Sequence, residues 1–173
     1  NFKRKDFLIA LGGRVVGDIT GLAAALYMRG INFVQIPTTL LSMVDASIGG
    51  KTAVDLNHGK NLAGVFWQPS LVVCDSEIIR QLPNKLFAEG IAEVIKCGAI
   101  RESLIINHIL KDEVKENLEE IIEACINLKR DVVEADEFET KGIRQILNVG
   151  HTVAHAIEKM SNYTISHGLA VGT

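Results

Sequence analysis

Residues 7–37 read FLIALGGRVVGDITGLAAALYMRGINFVQIP and decide the fold of this chain. Two short apolar runs, FLIAL at 7–11 and INFVQIP at 31–37, flank a helical pattern at 17–30. A strand, a helix and a second strand in this order are typical of a βαβ unit, whose two strands lie parallel in one sheet. A further β-branched run, LVVCD at 71–75, predicts another strand of that sheet.

The sequence pattern changes after Pro83, where the β-branched runs end and long helical patterns begin. We predict helical windows at 84–100, 102–111, 113–134 and 142–160. The fold class is therefore α/β followed by all-α. It comprises a parallel-sheet domain at 1–83 and a helical domain at 84–173, with any site in the cleft between them.

Composition limits the classes of function. The chain has 173 residues, 47% of them hydrophobic and 23% charged, and a net charge of -3, as expected for a soluble globular protein. No apolar run approaches the roughly 18 residues that span a bilayer, so we expect no membrane partner and a cytoplasmic location. Without a basic stripe, nucleic acid is an unexpected partner. The last segment, SHGLAVGT, resembles the start of a helix, so we expect a piece of a longer chain.

The turn after the first predicted strand is rich in glycine. Gly12 and Gly13 follow the strand directly and precede a helix, an arrangement that lets backbone N–H groups approach a phosphate. The spacing is GGxxxG rather than GxGxxG, so a tight strand-to-helix turn without a ligand is the alternative. Asp18 lies in the first turn of the predicted helix. Instead of contacting a ligand, its side chain could cap the helix or interact with the helix dipole.

Polar groups are concentrated in residues 37–61, PTTLLSMVDASIGGKTAVDLNHGKN. The string GGKT resembles the end of a phosphate-binding P-loop, but Asp45 stands where that motif needs its first glycine. We therefore predict a glycine-supported loop whose lysines, Lys51 and Lys60, hold a phosphate or carboxylate. A solvated surface loop is the alternative.

Three ionisable residues share one face of the predicted helix at 84–100. Glu89 and Glu93 are one turn apart, and Lys96 follows Glu93 by three residues. An exposed ion pair is one interpretation of this spacing. The apolar flanks make burial plausible, and buried ionisable groups are usually paired or bound to metal.

A polar stripe runs through the last helical window. Arg144, Asn148, His151 and His155 lie at offsets of 0, 4, 7 and 11, which places them along one helix face. His167 follows in a short turn, and three imidazoles with a nearby carboxylate suffice for a catalytic zinc ion. Spacing alone nominates His151 with His155, whereas a solvent-facing stripe is the alternative.

Six motifs occur together in this order: ALGGRVVGD, MRGINFVQIPTTLLSMVDASIGGKTAVD, GKNLAGVFWQP, GIAEVIKCG, LNVGHTVAHAIE and SHGLAV. In order and spacing they resemble the 3-dehydroquinate synthase family of the shikimate pathway. The resemblance implies conversion of 3-deoxy-D-arabino-heptulosonate 7-phosphate, a phosphorylated seven-carbon sugar acid, to 3-dehydroquinate and phosphate. It implies NAD, oxidised and reduced transiently, and one divalent metal, Zn2+ or Co2+. It also implies further parts of the chain on both sides of this one.

The resemblance carries site residues over position by position. It implies metal ligands at Glu93, His151 and His167, which replaces the nomination of His151 with His155. Substrate-binding and catalytic positions are implied at Asp45, Lys51, Asn61, Lys96, Lys129, Arg144, Asn148 and His155. Cofactor-binding positions are implied at Gly13, Arg14, Val15, Val16, Gly17, Asp18, Thr38, Thr39, Lys51, Lys60, Arg80 and Gln81.

Two positions depart from the family pattern, and other functions stay open. Arg14 stands where a third glycine is usual, and Leu169 stands where a glutamate is usual. One alternative function is another sugar phosphate cyclase of the inosose or valiolone type. A second is a non-catalytic NAD-binding protein, while a simple metal-dependent alcohol dehydrogenase would not need so many anion-holding lysines. The resemblance leaves a homodimer open as the assembly.

Overall fold

The structure is a computed structural model that describes residues 2–57, 59–101, 103–162 and 164–172. Residues 1, 102 and 173 lie outside the described residues. The first and the last are the outer ends of the two predicted domains, and residue 102 is the start of a predicted helical window. The strands are β1 (Phe7–Gly12), β2 (Asn32–Pro37), β3 (Lys51–Leu56), β4 (Gly59–Phe66) and β5 (Leu71–Val72). The helices are α1 (Arg14–Leu26), α2 (Ser76–Arg80), α3 (Asn84–Ile100), α4 (Ser103–Leu110), α5 (Leu118–Ala135), α6 (His151–Met160) and α7 (His167–Val171).

The predicted parallel sheet is confirmed, with strand order β1-β2-β5. β1 pairs in parallel with β2 from Phe7 opposite Asn32 to Gly12 opposite Pro37, and β2 pairs in parallel with β5. A small core of Ala24, Ile31 and Phe33 holds α1 against the sheet. The carboxyl ends of β1 and β2 consequently lie side by side, where binding sites of such sheets usually form.

The segment at 37–61 contains more regular structure than we predicted. The prediction of a loop is wrong for the second half of this segment. A π-helical turn over Ser42–Ala46 precedes Gly49 and Gly50, whose φ angles of +99° and +66° suit glycine. β3 and β4 then form an antiparallel hairpin. The hairpin was missed because its residues do not alternate cleanly between apolar and polar types. It places Lys51 at the start of one strand and Lys60 near the start of the other.

The helical half has the predicted architecture and contains the main core. α3 matches its predicted window, whereas α5 begins at Leu118 rather than at 113. The core also includes Leu40, Met43 and Val44, so the π-helical turn is packed against the helices. This packing joins the helical half to the sheet half. In the part of the chain that the structure describes, each helix is too short or too polar to cross a membrane.

The polar stripe at 144–155 is not one continuous helix face, so that prediction is wrong. Residues Ile143–Asn148 form a 3₁₀ segment, and α6 starts anew at His151. Gly150 separates the two with φ +80°, a left-handed conformation that ends a helix. The break turns Arg144 into the protein, where it is buried, while Asn148 stays exposed.

Helices α3 and α7 approach each other very closely at Gly168. A Cβ built on Gly168 would lie 2.3 Å from the carbonyl oxygen of Glu89 in α3. Only a residue without a side chain fits there, because the neighbouring atom belongs to the backbone. The contact fixes the start of α7, and with it His167, against α3.

We predict that Gly168→Ala forces α3 and α7 apart and destabilises the protein by roughly 1–3 kcal/mol, as overpacking does. Urea unfolding of the intact polypeptide measures this loss. Gly172→Ala is the matched control, because its Cβ would meet only ordinary contacts at 3.4 Å and 3.6 Å. Equal stability of the two variants would contradict the close approach.

Candidate functional site

A carboxylate and two imidazoles lie where three helices meet. Glu93 comes from the middle of α3, whereas His151 and His167 are the first residues of α6 and α7. Glu93 Oε1 lies 3.7 Å from His151 Nε2 and 3.5 Å from His167 Nε2. The structure thus brings the three predicted metal ligands together, with one donor atom of each within 4.8 Å of the others.

The backbone before α6 determines how His151 faces the cluster. His151 Nδ1 lies 3.2 Å from the carbonyl oxygen of Val149. A ring nitrogen beside a carbonyl oxygen carries the proton and donates it. The lone pair is then on Nε2, the nitrogen that faces Glu93.

Glu93 is fully buried and short of hydrogen bonds. Its side chain forms an ion pair with Lys96 in the next turn of α3. Among the described residues, neither carboxylate oxygen receives a hydrogen bond of ordinary geometry. Burial alone would raise the pKa of Glu93, but contacts with His167 and Lys96 outweigh it and lower the pKa. The group is therefore an anion that still lacks the contacts a buried carboxylate needs.

This donor set fits a divalent ion. Two ligands that each lie about 2.1 Å from a tetrahedral ion are ~3.4 Å apart, close to the 3.5 Å and 3.7 Å found here. Burial and the charge of Lys96 lower the pKa of His151, which keeps its imidazole neutral at pH 7. Metal binding requires the neutral form. One carboxylate and two imidazoles also leave a coordination position for a substrate oxygen.

His155 lies beside this cluster. Its ring centroid is 5.7 Å from that of His151 and 6.2 Å from that of His167. Its side chain is exposed and lines the larger of two neighbouring cavities. A second group of potential ligands, His155, Glu158 and His167, also has donor atoms within 4.8 Å of one another.

Two adjoining cavities, of about 320 Å³ and about 760 Å³, form a cleft beside the cluster. They share Arg14, Asp18, Ala53 and Asn61. His167 lines the larger one, so the cleft reaches the cluster. Further basic groups line one or the other: Lys51, Lys60, Lys129, Arg144 and Lys159. Four carboxylates, Asp18, Asp45, Asp55 and Glu158, line the same cavities, so cations are in excess by two, which suits an anionic ligand.

Asp45 and Lys129 form an ion pair at the wall of the smaller cavity. Lys129 Nζ lies 2.6 Å from Asp45 Oδ1 and also donates to the carbonyl oxygen of Asp45. Burial alone would raise the pKa of Asp45, but Lys129 and Lys96 hold it below its ordinary value. Burial lowers the pKa of Lys129 despite its partner. The pair fixes both side chains in place.

Arg144, Asn148 and Lys51 meet the loop that follows α5. The buried guanidinium of Arg144 donates to the carbonyl oxygens of Gly49 and Glu137 at 2.8 Å and 2.7 Å. Lys51 Nζ lies 2.6 Å from Glu139 Oε2. Glu139 also accepts a hydrogen bond from Asn148, and its pKa is lowered chiefly by the contact with Lys51. Lys51 and Arg144 thus line the smaller cavity, and Asn148 is joined to Lys51 through Glu139.

The predicted cofactor positions around α1 lie together at the end of the sheet. Gly13 is the N-cap of α1, and no side chain in the described ranges caps this helix. Val15 and Val16 are exposed, whereas Thr39 hydrogen-bonds Ser42 at 2.8 Å in the neighbouring turn. The N-terminal N–H groups of α1 therefore lie near Thr38, which donates its own N–H to the carbonyl oxygen of Gly12 at 2.9 Å.

Three predicted cofactor residues have other surroundings. Gly17 is buried, and a Cβ there would lie 2.7 Å from Gln35 Oε1, so the glycine serves the packing of α1 on β2. Arg80 and Gln81 line neither cavity of the cleft. Arg80 instead bonds Glu77 and the carbonyl oxygen of Lys115. Within the described chain, they are not brought to the other predicted positions.

Sequence reasoning missed two glutamates of the site. Glu158 contacts Lys60 and His167, and Glu139 contacts Lys51. The spacing of His155 and Glu158, three residues apart on α6, was a signal for the first. Glu139 lies in an irregular loop, where no periodicity predicts which way a side chain points.

Comparison with known proteins gives consistent matches. The family described as 3-dehydroquinate synthase N-terminal matches residues 1–89, and that described as 3-dehydroquinate synthase C-terminal matches residues 90–173. The 3-dehydroquinate synthase of Clostridium perfringens strain 13 is 51% identical over 97% of this chain and 49% of its own length. That of Sulfurisphaera tokodaii is 47% identical over 98% of the chain and 50% of its own. The chain thus spans about half the length of the curated relatives it matches.

Solved structures of related enzymes have the same fold. A 2-deoxy-scyllo-inosose synthase complexed with carbaglucose-6-phosphate, NAD+ and Co2+ has a TM-score of 0.89 and 34% identity, over 98% of this chain and 49% of that one. A 2-epi-5-epi-valiolone synthase from Streptomyces hygroscopicus, with NAD+ and Zn2+ bound, has a TM-score of 0.85 and 29% identity, over 94% and 47%.

We predict that the protonation of Asp18 makes the free energy of unfolding depend on pH. Burial raises its pKa from 3.8 to about 6, against the effect of Arg14 at 3.5 Å. Between pH 4 and 6 the folded chain then keeps a proton that the unfolded chain has lost, so this contribution to stability falls as pH rises. Asp18→Asn should become more stable relative to wild type across that window, by roughly 1–3 kcal/mol in total.

Urea unfolding of both proteins at several pH values between 4 and 7 measures the difference. Carboxyl NMR titration checks the pKa directly, and Arg14→Gln should raise it further because a cation is removed. A stability difference that does not change with pH would contradict the assignment.

Proposed function

The chain belongs to the 3-dehydroquinate synthase family, and from this premise we propose that the intact protein converts 3-deoxy-D-arabino-heptulosonate 7-phosphate to 3-dehydroquinate and phosphate. The observation that carries the proposal is the cluster of Glu93, His151 and His167 at one end of a cleft lined by basic side chains. This arrangement suits a substrate with a hydroxyl group that is oxidised and two anionic groups that must be held.

The proposed cofactors are NAD and one divalent ion, Zn2+ or Co2+. The ion would be held by Glu93, His151 and His167, and NAD by the residues around the start of α1. When bound, the ion polarises the oxygen of a secondary alcohol while NAD accepts a hydride and returns it. The chain supplies a neutral His151 and an ionised Glu93, which are the protonation states that a ligand set needs.

The basic residues of the cleft would bind the phosphate and the carboxylate of the substrate. Lys51 and Lys60 lie on the β3–β4 hairpin and are 50% and 43% exposed, so each can approach a substrate anion while its glutamate stays in contact. Arg144 is fixed by two carbonyl oxygens and offers a stationary charge. Asn61 lines both cavities and can donate to either end of a ligand. Their contribution is to hold the substrate in one orientation.

Lys96 and Lys129 would contribute electrostatics rather than proton transfer. Although burial alone would lower the pKa of Lys96, Asp45 and Glu93 raise it, so the group stays protonated. Lys129 is held by two oxygens of Asp45. Such fixed charges stabilise negative charge that develops on a substrate without moving themselves. His155 remains the side chain beside the cluster that is exposed and able to exchange a proton with the substrate.

NAD would lie with its pyrophosphate at the start of α1. The N–H groups there follow Gly13 and are not capped by any described side chain. Arg14 lines the cleft, and its guanidinium pairs with Asp18 one turn further along α1 at 3.5 Å. An additional cation near the pyrophosphate is compatible with binding.

A second candidate is a cyclase that acts on another phosphorylated sugar, as the inosose and valiolone synthases do. It would use the same metal and NAD positions. The fixed charge of Arg144 favours the first candidate, because a guanidinium suits the carboxylate of a sugar acid. A non-catalytic NAD-binding protein is the third candidate, and the intact ligand set argues against it.

The other expectations remain predictions. These are the division at residues 83 and 84, a cytoplasmic location and a homodimer. Light scattering of the intact polypeptide would measure the last of them.

Product analysis distinguishes the candidate functions. We expect the intact polypeptide, supplied with NAD+ and Zn2+ or Co2+, to release phosphate from the sugar acid phosphate and to form 3-dehydroquinate, identified by mass spectrometry. Phosphorylated sugars without a carboxylate should release at least ~10-fold less, since a charged partner of Arg144 is missing. Faster turnover of a phosphorylated sugar without a carboxylate would favour the second candidate. Failure to release phosphate from any of these substrates would favour the third candidate.

We predict that Glu93→Gln and His151→Ala lower metal affinity and turnover together by more than ~100-fold, because ligands contribute more than the residues behind them. His155→Ala is the matched control, since it removes an imidazole beside the cluster. It should keep most of its metal while losing turnover. Isothermal titration with Zn2+ measures the first quantity and phosphate release the second. Equal loss of metal in all three variants would contradict the ligand assignment.

A further inference from the structure

Glu158 is a buried carboxylate that joins two parts of the site. It lies on α6, and 2% of its surface is exposed. Its Oε1 accepts a hydrogen bond from Lys60 Nζ at 2.9 Å, and its Oε2 lies 3.6 Å from His167 Nδ1. Lys60 belongs to the β3–β4 hairpin, whereas His167 belongs to the metal cluster. The Glu158 side chain therefore contacts both a lysine of the hairpin and a proposed ligand of the metal ion.

The two nitrogens of His167 face different carboxylates. Nε2 lies 3.5 Å from Glu93, and Nδ1 faces Glu158. A neutral imidazole has one N–H and one lone pair, and a carboxylate behind one nitrogen fixes the proton there. Without the ion either nitrogen can carry the proton, since both face a carboxylate. With Nε2 bound to the ion, the proton lies on Nδ1, where the Glu158 carboxylate stabilises it. A carboxylate in this position also makes the opposite nitrogen a stronger ligand.

A different use of Glu158 is less compatible with its contacts. His155, Glu158 and His167 could form a second metal site by distance alone. A neutral imidazole has a single lone pair, however, so His167 cannot bind one ion through Nε2 beside Glu93 and a second ion through Nδ1 beside Glu158. The carboxylate is thus directed at His167 on one side and at Lys60 on the other.

We propose that Glu158 is the positioning residue of the metal centre, which orients His167 with Nε2 toward the ion and attaches that histidine to Lys60 of the hairpin. The inference rests on the proposed metal centre of Glu93, His151 and His167. It assigns to Glu158 no contact with the reacting atoms. Its effect passes through His167 on one side and through Lys60 on the other.

The test is a titration of the metal-free intact polypeptide with Co2+, followed by its visible absorption. Glu158→Gln keeps the size of the side chain and removes its charge, so we expect a Co2+ affinity about 10–100-fold lower than wild type and a shifted absorption band. Glu158→Asp should recover part of the affinity. Lys60→Met removes only the other partner and should change Co2+ affinity by less than about fivefold.

Glu134→Gln, an exposed glutamate on α5, is the control for loss of charge elsewhere. Circular dichroism of the metal-free variants checks that each one folds. If Glu158→Gln does not fold, Glu158→Asp provides the test. Wild-type affinity and an unchanged Co2+ spectrum in both Glu158 variants would overturn the inference while leaving the metal centre intact. An equal loss in Lys60→Met would also overturn it, because the effect would then come from the ion pair rather than from His167.

The titration separates this inference from the proposed function. Failure of the wild-type protein itself to bind Co2+ would overturn the metal centre and the role of Glu158 together. Two Co2+ ions per chain in the wild type, with one lost in Glu158→Gln, would identify Glu158 as a ligand and overturn its positioning role.

Discussion

The site depends on the burial of Glu93 in the middle of α3. A carboxylate without access to water is tolerated only when cations or hydrogen-bond donors compensate its charge. Lys96 supplies one such cation from the same helix, and Lys96 in turn is influenced by Asp45, which is paired with Lys129. Charges of alternating sign thus extend from the metal cluster to the wall of the smaller cavity. Neither oxygen of Glu93 receives a hydrogen bond of ordinary geometry from the described part of the chain, which leaves both suited to a further cation.

The second constraint is the position of the hairpin. The described residues of β3 and β4 belong to neither hydrophobic core, and their lysines are paired with glutamates from other parts of the chain, Glu139 and Glu158. The lysine side chains are 50% and 43% exposed, so an anion can approach them, whereas Glu158 itself is buried. The hairpin therefore links an anion in the cleft to the helices that hold the metal cluster. Glu158 is the proposed connection between this hairpin and His167.

The sequence predicted those features that depend on local patterns. Alternating apolar runs indicated the parallel strands, and the apolar flanks of Glu93 indicated that it could be buried, as it is. The hairpin and the break at Gly150 depend on backbone conformations that single residue types do not specify. A left-handed glycine inside a helical pattern looks like an ordinary helix residue until its φ angle is known.

The ligand set illustrates the difference between spacing and resemblance. Spacing within one helix nominated His151 and His155, because periodicity compares only residues that are near in sequence. His167 and Glu93 reach the cluster from other helices, through the close contact of α3 with α7 at Gly168. Residue chemistry marked His167 as a third imidazole and Glu93 as a possible metal-bound group, but only the family motifs joined these two with His151 as one ligand set. The role of Glu158 could not be found in either way, since it depends on contacts with Lys60 and His167 that the folded chain creates.

The most direct test of the metal centre is an anomalous-scattering measurement at the cobalt edge on crystals of the intact polypeptide grown with Co2+. We expect one strong peak about 2.0–2.2 Å from a carboxylate oxygen of Glu93 and from the Nε2 atoms of His151 and His167. The absence of a peak there, with the three side chains directed apart, would contradict it.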